Sequence, residues 1–156
     1  MKIQEVMTSD VEIASPDDSL HTAAKMMADL DVGVLPLGEN DRLVGMVTDR
    51  DLAIRGLADG RDVASMKLRD IMTKDVRYCF DDEDTNAIAS KMAEWQVRRL
   101  PVLNREKRLV GIVSLGDLAI GDRSEAPHKA LKGVSEGAHA GDKPGIGADD
   151  LKKGGF

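Results

Sequence analysis

Apolar positions along the chain switch between two periods. From Val11 to Ala14 apolar and polar residues alternate, which predicts a half-buried strand. After Ser15-Pro16-Asp17-Asp18-Ser19, the residues Leu20, Ala23, Ala24, Met27 and Leu30 recur at steps of three and four. That spacing predicts a helix with one inward face, capped by Asp18 or Ser19. Two apolar runs follow, residues 34–37 and 43–47, separated by Gly38-Glu39-Asn40-Asp41-Arg42, and they read as a hairpin. Pro36 has no N–H to give a ladder, so its strand is expected to be an edge there or to adjoin something other than a strand. A second helix is expected from Asp49 to about Leu57, stopped by Gly56 and Gly60.

The order then recurs. A polar connector over residues 58–67 leads to Leu68-Arg69-Asp70-Ile71-Met72-Thr73, a strand at Val76-Arg77-Tyr78-Cys79, and a helix from about Thr85 to Trp95. Strands at residues 99–102 and 109–113 and a helix from Leu115 to about Ile120 complete it. At an offset of 66, the stretch 42–54 matches 108–120 at nine of thirteen positions. At an offset of 65, residues 5–36 match 70–101 at eleven of 32 positions, including Met7/Met72, Thr8/Thr73 and Leu35-Pro36/Leu100-Pro101. The chain is therefore an α/β (α+β) protein of two tandem units, each β-α-β-β-α. By this reading unit 1 with its connector is residues 1–66 and unit 2 is residues 67–123. From Ser124 to the end the chain is Gly-rich, with few large apolar residues, and a flexible tail over 124–156 is expected.

Composition narrows the function. Hydrophobic residues make up 42%, enough for a core, but with one Trp, one Tyr and two Phe that core is aliphatic and Met-rich. A net charge of −6 and a pI near 5.1 argue against nucleic acid or an anionic membrane as partner. No apolar stretch approaches a membrane span or a signal region, so a cytoplasmic protein is expected. The single cysteine, Cys79, allows no intrachain disulfide and reads as a buried, inert thiol. His21, His128 and His139 have no metal spacing, and no metal is expected. No Ser/His/Asp order, HExxH, P-loop or GxGxxG is present, so no catalytic residue is named and an enzyme is not expected.

The chemistry sits where each repeat passes from strand to helix. In Thr48-Asp49-Arg50-Asp51 and Ser114-Leu115-Gly116-Asp117 a hydroxyl at the helix cap precedes a carboxylate by three residues. Together with free helix N–H groups, this is a place for a ribose and a phosphate. The bland alternative is a capping box that stabilises the helix and nothing more.

Two such units, each with an h-x-Leu-Pro-h strand and a Gly-h-h-Ser/Thr-x-x-Asp turn, resemble a pair of CBS (cystathionine β-synthase) domains, a Bateman module. The chain is similar to the small bacterial stand-alone CBS-pair proteins, the hypoxic response protein type among them. The resemblance covers residues 1–123. It implies units packed sheet to sheet with pseudo-two-fold symmetry, two clefts, and pairing into a homodimer. It implies adenosine ligands such as AMP, ADP, ATP, NAD or S-adenosylmethionine. Asp51 and Asp117 would then bond ribose hydroxyls, with Thr48 and Ser114 beside them. Val11, Ile13, Val76 and Tyr78, with Leu35-Pro36 and Leu100-Pro101, would frame the adenine. Arg50, with either Arg98 or Arg99, would be the counter-charges to phosphate in the cleft that uses Thr48 and Asp51, since neighbours on a strand point to opposite faces. The function expected is an adenylate sensor regulating an unidentified partner; the alternative is a ligand-free dimeric scaffold.

Overall fold

A computed structural model describes residues 1–40, 42–121 and 130–134. Helix α1 spans Leu20–Leu30, strand β1 Val34–Glu39, strand β2 Arg42–Thr48, and a single α-helical turn, α2, Asp49–Asp51. Then come β3 (Cys79–Phe80), α3 (Thr85–Trp95), β4 (Arg99–Leu103), β5 (Leu109–Ser114) and α4 (Leu115–Gly121). The hairpins β1–β2 and β4–β5 are antiparallel, as expected. Both carry a bulge at the same place: Val44 and Val110 are extra residues opposite Leu37/Gly38 and Val102/Leu103. The first helix is capped by Ser19, whose Oγ accepts from the Thr22 N–H at 3.0 Å.

The first strand of each repeat is shorter than its alternating pattern predicts. Of residues 11–14 only Ala14 pairs, giving its N–H to the Pro36 carbonyl and accepting from the Gly38 N–H. Of residues 76–79 only Cys79 joins a strand, parallel to Val102. Extending either parallel ladder backwards would require an N–H from Pro36 or Pro101, and proline has none. The second helix is also not regular: α2 continues as a π-helical turn over Leu52–Gly56 and a 3-10 turn over Leu57–Asp59.

The chain divides into two compact units, one of residues 12–76 and one of residues 1–11 with the chain from Arg77 onward. These divide it differently from the sequence repeat, because each Met-Thr lead folds with the body of the other repeat. In the 12–76 unit Thr73 exchanges backbone bonds with Met46 of β2, at 2.9 and 3.0 Å. In the other unit Thr8 does the same with Ile112 of β5, at 2.9 Å each way.

The two cores are built from matching positions. Ala14, Leu20, Ala23, Met27, Leu35, Leu37 and Val47 pack in the 12–76 unit with Leu68 and Ile71 of the lead. Cys79, Ile88, Met92, Leu100, Val102 and Val113 pack in the other unit with Ile3. Both interiors are aliphatic with methionine, as composition required. Cys79 stands where the first repeat has Ala14, a small buried side chain at the strand edge.

Residues 130–134 fall within the stretch read from the sequence as a tail. They are helical, Ala130 and Val134 are buried in the second core, and a Cβ on Gly133 would meet that of Ala93 on α3 at 3.3 Å. The remainder of the tail lies outside the described residues.

Candidate functional site

Each hairpin delivers its last residue to the start of a helix, and there the hydroxyl and the carboxylate meet. In the 12–76 unit Thr48 ends β2 and its N–H donates to Asp51 Oδ2 at 2.9 Å. The Asp51 N–H donates back to Thr48 Oγ1 at 3.1 Å. Thr48 and Asp51 are only 3% and 4% exposed, so the reciprocal pair is shielded from water. Burial pushes the Asp51 carboxyl above the usual carboxylate range, against the opposing pull of the Thr48 hydrogen bonds and of Arg55 and Arg50.

The second turn is built alike but is more open. The Ser114 N–H and hydroxyl both donate to Asp117 Oδ2, at 2.7 and 2.8 Å, and the Asp117 N–H returns to Ser114 Oγ at 3.1 Å. Asp117 is half-buried. In both turns Oδ2 carries the capping bonds, which leaves Oδ1 as the oxygen directed to anything else. The other acceptor is thus engaged locally, so a diol approaching either carboxylate would rely on Oδ1 and on the spare lone pair of Oδ2.

The arginines fall differently in the two units. Arg50 is exposed on the first turn of α2, where Gly116 stands in the second repeat. Arg99 is the register partner of Ser114, and the Arg98 carbonyl accepts from the Leu115 N–H at 3.0 Å. Both arginines are exposed. At the matching place in the first repeat Gly33 accepts from the Asp49 N–H at 3.0 Å.

The residues expected to frame an adenine are divided between the units. Ile13, Leu35, Pro36 and Val76 belong with Thr48 and Asp51, whereas Val11, Tyr78, Leu100 and Pro101 belong with Ser114 and Asp117. The Leu35 and Leu100 side chains are fully buried, so only their backbone groups are available to a ligand. Ile13 is half exposed and Tyr78 is half-buried, with its hydroxyl 3.1 Å from Lys107 Nζ.

One residue was missed by sequence reasoning. Arg55 approaches Asp51 Oδ1 with Nε at 3.7 Å, and its Nη1 donates to the Ile71 carbonyl at 3.2 Å. The signal was present, since an acid followed four residues later by a base is the usual helix pair.

Among the described residues no three His, Cys, Asp or Glu side chains gather as a metal site, and no helix is long and apolar enough to cross a membrane.

Comparison with known proteins bears on these turns. The CBS domain model matches residues 3–56 and again 68–120, each match including one Thr/Ser-x-x-Asp turn. The uncharacterized protein YlbB of Bacillus subtilis is 39% identical over 139 residues, 87% of this chain and 93% of that one. A crystal structure of hypoxic response protein I, with two coordinated zinc ions, has a TM-score of 0.69 at 36% identity, covering 77% of this chain and 98% of that one. The CBS domain pair of protein MJ0100, in complex with 5'-methylthioadenosine and S-adenosyl-L-methionine, has a TM-score of 0.70 at 26% identity, covering 80% and 98%. With two CBS matches, a curated relative aligned over most of both lengths, and twin turns built to one plan, the chain belongs to the CBS-domain family and carries a pair of CBS domains.

Proposed function

We propose that this chain is a regulatory module that binds adenosine nucleotides, AMP, ADP, ATP or NAD, and performs no chemistry on them. The observation that carries the reading is the twin turn, a hydroxyl and a carboxylate held together at a strand end in each unit. The adenosine-type ligands of the MJ0100 pair support the ligand class. Asp51 and Asp117 accept ribose hydroxyls through Oδ1, since an ionised acceptor makes the stronger bond. Thr48 and Ser114 hold each carboxylate in place. Arg50, Arg98 and Arg99 supply countercharge to phosphate, and Ile13, Val76, Val11 and Tyr78 supply apolar edges to adenine.

The module works as a homodimer in the cytoplasm, passing ligand occupancy to a partner protein through a change in dimer geometry. Leu57 and Ile120, 68% and 86% exposed, offer apolar surface for self-association. Occupancy changes geometry only if the ligand binds two arrangements unequally.

Isothermal titration with the four nucleotides, on protein stripped of carried-over ligand, tests the reading. Saturable binding that Asp117→Ala weakens supports it, and Asp117 is chosen because its half-exposed site tolerates the change better than Asp51. Absence of binding by all four, in folded protein, favours a second reading in which the turns are helix caps and the chain is a dimeric scaffold. The complete reciprocal bonding at Thr48/Asp51 is the observation that keeps that reading alive.

A further inference from the structure

The two turns differ in what stands behind the carboxylate. At an offset of 66 Arg55 corresponds to Gly121, and at an offset of 65 Ile71 corresponds to Val6. In the 12–76 unit the Arg55 guanidinium bridges Asp51 Oδ1 and the Ile71 carbonyl, 3.7 and 3.2 Å away. In the other unit Gly121 packs directly on Val6, so closely that a Cβ there would overlap the Val6 side chain. The first repeat thus has a side chain joining its carboxylate to the lead that folds against it, the second repeat's own, whereas the second repeat has bare packing.

Backbone geometry differs at the same place. Arg55 lies in the π-helical turn Leu52–Gly56, whereas α4 remains a regular α-helix through Gly121. Widened turns of this kind recur at functional positions. The Arg55 side chain is 17% exposed and that of Asp51 5%, so the pair is weakly screened by water.

The segment that Arg55 holds is structurally consequential. Ile71 is buried, the Met72 N–H in the same peptide plane donates to Leu68 at 2.8 Å, and Thr73 pairs with Met46 on β2. Three residues later the chain leaves this unit, at Val76.

We propose that Arg55 is a positioning residue that couples occupancy of the Asp51 site to the 68–73 segment, and that the Asp117 site has no such coupling. The inference rests on the nucleotide reading above. Without ligand, the Arg55 guanidinium is ion-paired with a carboxylate oxygen and donates to a backbone carbonyl. A ribose diol that bonds Asp51 Oδ1 immobilises the carboxylate, fixes Arg55 against it, and so tightens the hold on the Ile71–Met72 peptide. Two sites that bias one element in this way are coupled reciprocally.

The test is residue-resolved amide exchange of the full chain, with and without whichever of AMP, ADP, ATP and NAD binds, on wild type, Arg55→Ala and Arg55→Lys. In wild type the nucleotide slows exchange at Met72 and Thr73. In Arg55→Ala affinity falls by roughly three- to tenfold, and saturating nucleotide adds no protection at Met72 and Thr73 beyond that of the ligand-free protein. Arg55→Lys retains the charge near Asp51 but lacks the fork needed to hold both partners, so it keeps most affinity and loses the protection. Equal protection at Met72 and Thr73 in wild type and Arg55→Ala, with nucleotide bound to both, overturns the coupling and leaves the nucleotide reading intact. Failure of wild type to bind any of the four overturns both.

Discussion

Gly111 on β5 lies against the sulfur of Met7: a Cβ at Gly111 would stand 2.7 Å from it and 2.7 Å from the Thr8 carbonyl oxygen. Gly45 has the same relation to Met72, with sulfur at 2.7 Å and the Thr73 carbonyl at 3.0 Å. The Met-Thr lead and the glycine of the Gly-h-h-Ser/Thr strand therefore form one interlock, made twice.

Gly111→Ala should destabilise the protein by about 1 to 3 kcal/mol through overpacking, measured as a fall in the thermal midpoint. Gly45→Ala should cost less, because its backbone neighbour is farther away. Adding Met7→Ala to Gly111→Ala should recover only part of the loss, since the Thr8 carbonyl is backbone and does not withdraw. Full recovery would show that the methionine alone makes the fit.

The Asp51 carboxyl sets a pH dependence that can be isolated by comparing wild type with Asp51→Asn. The folded protein takes up a proton at Asp51 at higher pH than the unfolded chain does, because burial raises the folded value above the ordinary 3.8. Wild type should therefore gain stability relative to Asp51→Asn as pH falls through that raised value, and the difference should level off below about 3.8. Glu83, Asp82 and Asp84 titrate in both proteins and cancel. Denaturant melts at several pH values read this directly, and a difference that shrinks with acid contradicts it.

Cys79 should be inert toward a thiol reagent at neutral pH while the protein is folded. Burial, reinforced by the charge of Glu83, pushes its thiol up to about 12, and the side chain lies inside the second core. Labelling kinetics should follow the opening of that core, rising steeply with denaturant; rapid stoichiometric labelling of native protein would contradict the burial.

Val134→Asp should lower the stability of the unit that contains α3 by about 1 to 3 kcal/mol, because Val134 and Ala130 pack in its core. A chain ending at residue 129 should behave like the substituted protein. Melting curves identical to wild type in both would mean that residues 130–134 contribute nothing to that core.

The repeat, the hairpins, the aliphatic interior and the hydroxyl–carboxylate turns were legible in the sequence because each is written over a few neighbouring residues. Steps of three and four marked α1 and the recurrence of the order placed α3, and their ends at Leu30 and Trp95 agree with that reading. The Thr48-x-x-Asp51 spacing already contained its reciprocal bonds, which close over three residues. The alternation at residues 11–14 misled, since a strand also needs a donor on its neighbour and Pro36 has none.

Tertiary structure decided what depends on residues far apart in the chain. Thr8 pairs with Ile112 and Thr73 with Met46, so each lead serves the other repeat's sheet, a pairing that no local period encodes. Arg55 meets the Ile71 carbonyl across 16 positions of sequence, and Gly121 is bare because Val6 fills its space. Local pattern sets which groups a segment can offer; which partner receives them is settled only when the chain closes and every buried donor and every cavity must be filled.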